Sequence, residues 1–149
     1  MARLYALSLA PLDDISVFIM LASPLKSTVY VVDDDQDVLG SLQFLLETDG
    51  FCVRTFRSGA ALLIAATSCP ADCFVIDYKM PHMNGIDLAK RLRKRDIATP
   101  IILITGHLDD SIPAKAATAG VHHVLLKPHL EDSLPTHIRG AIQASRQHF

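Results

Sequence analysis

Two short apolar runs that stop abruptly at acidic residues constrain the fold of this chain most. Residues 29–32 run into three consecutive aspartates at 33–35, and residues 73–76 run into Asp77. Short runs rich in β-branched residues predict buried parallel strands, and open α/β sheets bind ligands at the carboxyl ends of such strands. Carboxylates gathered there suit Mg²⁺, which leaves coordination positions free for water and phosphate oxygens. The sequence therefore predicts a magnesium site that handles phosphoryl groups.

The length and charge of the chain predict a single soluble domain. Its 149 residues include 14 basic and 16 acidic side chains, for a formal net charge of -2. A chain of this length buries roughly two thirds of its unfolded surface and needs no disulfide or metal for stability. The sequence has no long basic run, which argues against direct nucleic-acid binding. We assign five basic residues to the solvated face of one helix: Lys90, Arg91, Arg93, Lys94 and Arg95.

Three cysteines, Cys52, Cys69 and Cys73, make an odd number in a sequence without a clear secretory signal. This pattern predicts a reducing compartment, and hence a cytoplasmic protein, rather than a disulfide framework. We interpret all three as buried thiols. A zinc site at Cys69 and Cys73 is the weaker interpretation, because no second ligand pair follows at zinc-finger spacing.

Strand-like and helix-like patterns alternate along the rest of the chain, which predicts a parallel sheet covered by helices on both faces. Gly50 and Gly120 stand where helices are expected to end. Pro113 falls inside the expected fourth helix, so this helix should be short or kinked. We place the five strands near residues 29–33, 51–56, 73–77, 100–105 and 122–126.

Four motifs follow one another along the chain: VVDDD at 31–35, VIDYKMPHMNG at 75–85, ITGH at 104–107 and LKP at 126–128. In this order they resemble the receiver domain of two-component response regulators, and most of all its FixJ-type branch. The resemblance covers about residues 28–145. It implies a five-stranded parallel sheet, doubly wound, of the flavodoxin-like or CheY-like (βα)5 type.

The resemblance also implies how Mg²⁺ is held. In this topology the first and third strands are neighbours, so that Asp33, Asp34 and Asp77 converge at one edge. Asp34 and Asp77 would ligate the ion directly and Asp33 largely through water. The backbone carbonyl of Lys79 would complete the protein ligands. Carboxylates this close repel one another unless a divalent cation screens them.

The catalytic roles follow from the same resemblance. Asp77 would be the nucleophile that attacks the phosphorus of a phosphohistidine. Lys127 would supply the cation, and Thr105 the hydroxyl that hydrogen-bonds the acyl phosphate. The bond between Lys127 and Pro128 is expected to be cis, as is typical of the family. For Asp35 we favour a structural role at the start of the next helix.

The chain departs from the family pattern in its readout residues. Val124 stands where the fifth strand usually carries an aromatic that reports phosphorylation, and His129 stands where Phe usually follows Lys-Pro. Leu39 and Gly40 replace polar residues expected on the outer side of the first helix and are candidates for a docking patch. We interpret three loop histidines at the site edge as solvated: His82, His107 and His129.

These observations predict the organisation and function of the chain. Residues 1–27 form an N-terminal extension whose status the sequence leaves open, and residues 28–149 form the receiver domain, with no output domain. In neither part does the sequence pattern predict a membrane span. We expect a stand-alone receiver that takes a phosphoryl group from a sensor histidine kinase or a histidine phosphotransfer protein. It would signal by protein contact or act as a phosphate sink, and would catalyse only its own phosphotransfer and dephosphorylation.

Two other functions stay open. An aspartyl-phosphate hydrolase of the haloacid dehalogenase type would need an acid two residues after the nucleophile, and that position is Lys79. A non-phosphorylated interaction domain would have no use for the complete set of acids with Lys127 and Thr105. Dinucleotide binding is disfavoured, because aspartates occupy the place of the glycine-rich turn.

Overall fold

The computed structural model describes residues 25–106, 109–127 and 132–147. Within these ranges, five strands alternate with five helices. The strands are β1 (Thr28–Val32), β2 (Cys52–Phe56), β3 (Cys73–Asp77), β4 (Ile101–Thr105) and β5 (His123–Leu126). The helices are α1 (Gln36–Thr48), α2 (Gly59–Ser68), α3 (Gly85–Lys94), α4 (Ser111–Thr118) and α5 (Leu134–Arg146).

The strands form one sheet in the order β2-β1-β3-β4-β5, and every pair of neighbours is parallel. The predicted doubly wound fold is therefore confirmed. The chain moves outward from β1 to β2 and then returns to place β3 on the other side of β1. The strand order reverses between β1 and β3, and open α/β sheets bind their ligands at such a switch point.

Side chains of the central strands belong to two apolar cores, one on each face of the sheet. In β1, Val29 and Val31 join the core beneath α1 and α5, whereas Tyr30 and Val32 join the core beneath α2, α3 and α4. β3 and β4 are buried along their whole lengths. Both faces of these strands are covered, which is why their sequences are continuous apolar runs instead of alternating ones.

The helix boundaries follow the expected local chemistry. The Asp35 carboxylate accepts hydrogen bonds from two backbone amides in the first turn of α1, which confirms its structural role. Asn84 and Asp87 form a reciprocal capping box at the start of α3. Pro113 is the third residue of α4, a helix of only 8 residues, so the expected short helix is confirmed. A proline in the first turn lacks only an amide that has no helical partner.

Two expectations about burial are wrong. Cys73 is buried, but Cys52 and Cys69 are exposed, because Cys52 begins the edge strand β2 and Cys69 caps the end of α2. Leu39 is not part of an exposed patch. It shares the buried face of α1 with Leu42 and Leu46, at helical spacing.

Arg93 also differs from its expected place on a solvated helix face. Its guanidinium donates hydrogen bonds to the carbonyl oxygens of Ile97 (2.7 Å), Thr99 (2.8 Å) and Gly120 (2.7 Å). Burial lowers the pKa of Arg93. This side chain ties the loop that precedes β4 to the turn that follows α4, a tertiary role that its position in a basic run does not reveal.

Several expectations lie outside the described residues: the extension up to residue 24, His107, the bond from Lys127 to Pro128, and His129. His82 is described and exposed, as expected. No helix in the described ranges has the length and apolar character that a membrane span requires.

Candidate functional site

The carboxyl ends of β1 and β3 bring three aspartates together. The two strands pair in register, with Val32 opposite Ile76, so the next residues, Asp33 and Asp77, lie side by side. Asp34 joins them, and carboxylate oxygens of the three residues lie within 4.8 Å of one another. Asp33 and Asp77 are buried, whereas Asp34 is exposed.

Hydrogen bonds fix Asp33 at the end of its strand. Its backbone amide donates to the carbonyl oxygen of Phe56 (3.1 Å), and its Oδ1 accepts from the amide of Asp35 (2.9 Å). The second oxygen, Oδ2, lies 3.4 Å from Nζ of Lys127. One carboxylate oxygen of Asp33 thus stabilises the turn that leads into α1, and the other faces the site.

Lys127 is the cation of the site. Its Nζ lies 3.2 Å from Oδ1 of Asp77 as well as 3.4 Å from Asp33. The backbone amide of Lys127 donates to the carbonyl oxygen of Thr105 (2.9 Å), which couples the ends of β4 and β5. Burial alone would lower the pKa of Lys127, but the charges of Asp77 and Asp33 outweigh burial and raise it.

The two buried carboxyls are only partly neutralised by this lysine. Burial, and then the charge of Asp33, raise the pKa of Asp77 to about 6, against an opposing effect of Lys127. Burial also raises the pKa of Asp33. Two or three carboxylates beside one ammonium leave an excess of negative charge, which a divalent cation with a preference for oxygen would balance. The donor set therefore fits Mg²⁺.

An open cleft of about 350 Å³ contains the complete predicted site. Lys79 and Thr105 line it together with the three aspartates and Lys127, so the structure brings all six predicted residues to one place. Asp35 also borders the cleft, but its carboxylate is engaged at the start of α1.

Gly85 supports the site in a way that the sequence did not reveal. The amide of Gly85 donates to the carbonyl oxygen of Tyr78 (2.8 Å), and the amide of Tyr78 donates to Ile104 (2.8 Å). A Cβ at Gly85 would lie 2.6 Å from the carbonyl oxygen of Asp77 and 2.5 Å from Leu103. The structure shows that α3 begins in direct contact with the backbone of Asp77.

Sequence reasoning also missed two features near β5. An apolar groove of about 420 Å³ lies between α4 and β5, and Thr105 borders both this groove and the acidic cleft. The imidazoles of His123 and His137 stack on each other. Each feature depends on tertiary neighbours that no short motif contains.

A doubly wound sheet with an acidic cleft at its switch point defines an α/β protein whose chemistry lies on strand ends. The family model described as the response regulator receiver domain matches residues 29–139, and the chain belongs to this family. The predicted resemblance is therefore confirmed. Membership does not favour the hydrolase alternative.

Individual relatives agree with this assignment. The chain is 37% identical to the transcriptional regulatory protein FixJ of Bradyrhizobium diazoefficiens over 118 residues, which cover 79% of this chain and 58% of FixJ. It is 35% identical to the response regulator protein TmoT of Ectopseudomonas mendocina over 122 residues, which cover 82% of this chain and 56% of TmoT. The chain thus spans little more than half the length of these relatives.

Solved structures show the same fold. A response regulator receiver domain from Clostridium thermocellum superposes with a TM-score of 0.77 at 30% sequence identity, covering 83% of this chain and 99% of that one. The chemotaxis protein CheY4 of Vibrio cholerae matches with a TM-score of 0.75 at 24% identity, covering 78% of this chain and 99% of that one. At 24% identity, the likeness to CheY4 shows the fold alone.

Proposed function

We propose that Asp77 is the phospho-acceptor of this receiver. The donor is a phosphohistidine of a sensor histidine kinase or of a histidine phosphotransfer protein. The observation that carries the proposal is the position of Lys127, whose Nζ lies 3.2 Å from Asp77 within a group of three carboxylates. A nucleophile, a cation and a metal-binding group are the parts that phosphoryl transfer requires.

Asp77 is the best nucleophile of the three aspartates. Asp33 has one oxygen engaged by the amide of Asp35. Asp34 is exposed and has no described contact with Lys127. Asp77 is buried at the end of a central strand, and its Oδ1 already faces the lysine. A cation beside the nucleophile lies where charge develops on the transferred group.

In the reaction, an oxygen of the Asp77 carboxylate attacks phosphorus while the bond from phosphorus to the histidine nitrogen breaks. The electron pair of that bond stays on the imidazole, which takes up a proton. The ammonium of Lys127 moves from the carboxylates to contact a phosphoryl oxygen. The hydroxyl of Thr105 donates a hydrogen bond to a second phosphoryl oxygen. The three aspartates and the carbonyl of Lys79 would hold Mg²⁺, which when bound neutralises charge on the phosphoryl oxygens.

We further propose that phosphorylated Asp77 signals by protein contact or serves as a phosphate sink. Autodephosphorylation and a cytoplasmic location belong to this proposal. The separate extension at residues 1–27 and the receiver at residues 28–149 stay predictions. Lys79, at the position where a dehalogenase-type hydrolase has its second acid, supports a signalling role over substrate turnover.

Incubation with Mg²⁺ and acetyl phosphate tests the acceptor. Intact-mass measurement should show one acid-labile phosphoryl group on the wild type and none on Asp77→Asn. Asp34→Ala should lose labelling, since it removes a metal ligand. Asp35→Ala is the matched control: it removes a neighbouring carboxylate that caps α1 and should keep the label. A persistent adduct on Asp77→Asn would move the acceptor elsewhere.

A further inference from the structure

Two histidines join the edge strand β5 to the helix α5. The imidazoles of His123 and His137 stack with centroids 4.2 Å apart and planes inclined by 26°. His123 begins β5, where it pairs with Ile102 of β4, and His122 directly precedes it. The site described above does not use any of these imidazoles.

The described surroundings of His123 offer it little negative charge. β4 contributes the apolar Ile102, and α4 faces His123 across a groove bordered by Ile112 and Ala116. Asp109 is the one carboxylate among the described residues of that groove. The charged groups that affect the pKa of His123 are the imidazoles of His137 and His122. His123 is exposed at the sheet edge, and its partial burial, followed by these two neighbours, lowers that pKa.

Protonation changes the interaction between the two rings from attractive to repulsive. Two neutral rings stack favourably, but two imidazolium ions at the same separation repel each other. Histidine gains its proton within the physiological range of pH. β5 ends one residue before Lys127, and α5 is the next described helix. The contact therefore joins the strand that leads to Lys127 to the described helix that follows it.

We propose that the stack of His123 on His137 is a pH-sensitive contact that holds α5 against β5 when both rings are neutral and loosens it when both are protonated. The contact uses none of the residues that line the acidic cleft. It is a property of the resting protein, and its test needs no phosphodonor.

Amide hydrogen exchange of the full 149-residue chain, corrected for intrinsic rates, tests the contact at about pH 7.5 and about pH 5.5, on either side of the histidine range. In the wild type, protection of α5 relative to β1 and β3 should fall at the lower pH by at most about fivefold, the size expected for two full unit charges at this distance near water. His137→Phe keeps a ring without the charge and should abolish most of the fall. His123→Phe should do the same.

His122→Gln is the matched control, because it removes a neighbouring imidazole outside the stack and should keep most of the fall. Asp77 titrates in the wild type and in all three variants, so its contribution cancels when they are compared. An equal fall in wild type and both Phe variants, or no fall in the wild type, overturns the proposal. Imidazole NMR titration of the wild type gives a second measurement that needs no variant. Independent titration of the two rings, with no effect of one on the other, also overturns it.

Discussion

At the scale of single residues, the charge state of the site depends on how two buried acids, Asp33 and Asp77, share Lys127. Asp77 has a pKa of about 6 in the folded protein against 3.8 as its ordinary value, chiefly because it is buried. Asp33 shifts in the same direction. Each carboxyl therefore holds its proton more tightly in the folded chain than in the unfolded chain. Without a divalent cation, the site opposes folding at neutral pH.

This balance predicts how stability depends on pH when a chelator is present. A carboxyl whose pKa is higher in the folded chain than in the unfolded chain stabilises the fold when it is protonated. This stabilisation is complete below the pKa of the unfolded chain and is lost as pH rises through the pKa of the folded chain. The free energy of unfolding should therefore rise by roughly 1 kcal/mol per unit as pH falls from about 6 towards about 4. Urea unfolding of wild type and Asp77→Asn at several pH values measures it. The variant should have a smaller slope and greater stability near pH 7.

Added Mg²⁺ provides the control for that experiment. It should stabilise the wild type near pH 7 and should stabilise Asp77→Asn less, because the stabilisation by a ligand of the folded state grows with the logarithm of its affinity. Equal slopes in the two proteins, or equal gains with Mg²⁺, would show that the charge of Asp77 does not limit stability.

At the scale of helices, two helical glycines differ in whether the packing around them requires the absence of a side chain. Gly40 lies in the middle of α1, and a Cβ there would meet no atom within 4 Å. Gly85 begins α3, and a Cβ there would overlap the backbone of Asp77 and the side chain of Leu103. α1 thus carries a glycine that its own packing does not require. α3 can approach the phospho-acceptor strand only because its first residue lacks a side chain.

The two positions make a matched pair of substitutions. Gly40→Ala should raise the free energy of unfolding by about 1 kcal/mol, the difference in helix propensity between the two residues. Gly85→Ala should lower it by about 1–3 kcal/mol through overpacking, and should also reduce labelling of Asp77 by acetyl phosphate. Urea unfolding and intact mass provide the two readouts. Similar effects of both substitutions would mean that the contact between α3 and Asp77 does not constrain the site.

At the scale of the whole molecule, the sequence was sufficient to predict those features that depend on a local pattern of residues or on a specific motif. Strand positions, the capping role of Asp35 and the convergence of the six site residues all followed from runs, spacings and the family pattern. The errors concern the surroundings of side chains: which face of α1 carries Leu39, whether Arg93 turns inward, and whether Cys52 and Cys69 are buried. The apolar residues of α1 offer more than one stripe at helical spacing, and acceptors such as the carbonyl of Gly120 lie far along the chain, so a single sequence does not decide these points.

The groove between α4 and β5 carries the last expectation, which concerns assembly. Val124 packs at the margin of the apolar core and borders a groove of about 420 Å³ that reaches Thr105. The family usually has an aromatic ring here that changes position on phosphorylation, and valine has no ring to move. A ligand shifts a conformational equilibrium only through different contacts in the two states. Sedimentation with Mg²⁺ and beryllofluoride should therefore show little or no increase in dimer for the wild type. Val124→Phe should increase the response, whereas a clean conversion of wild-type monomer to dimer would show that this surface switches without the ring.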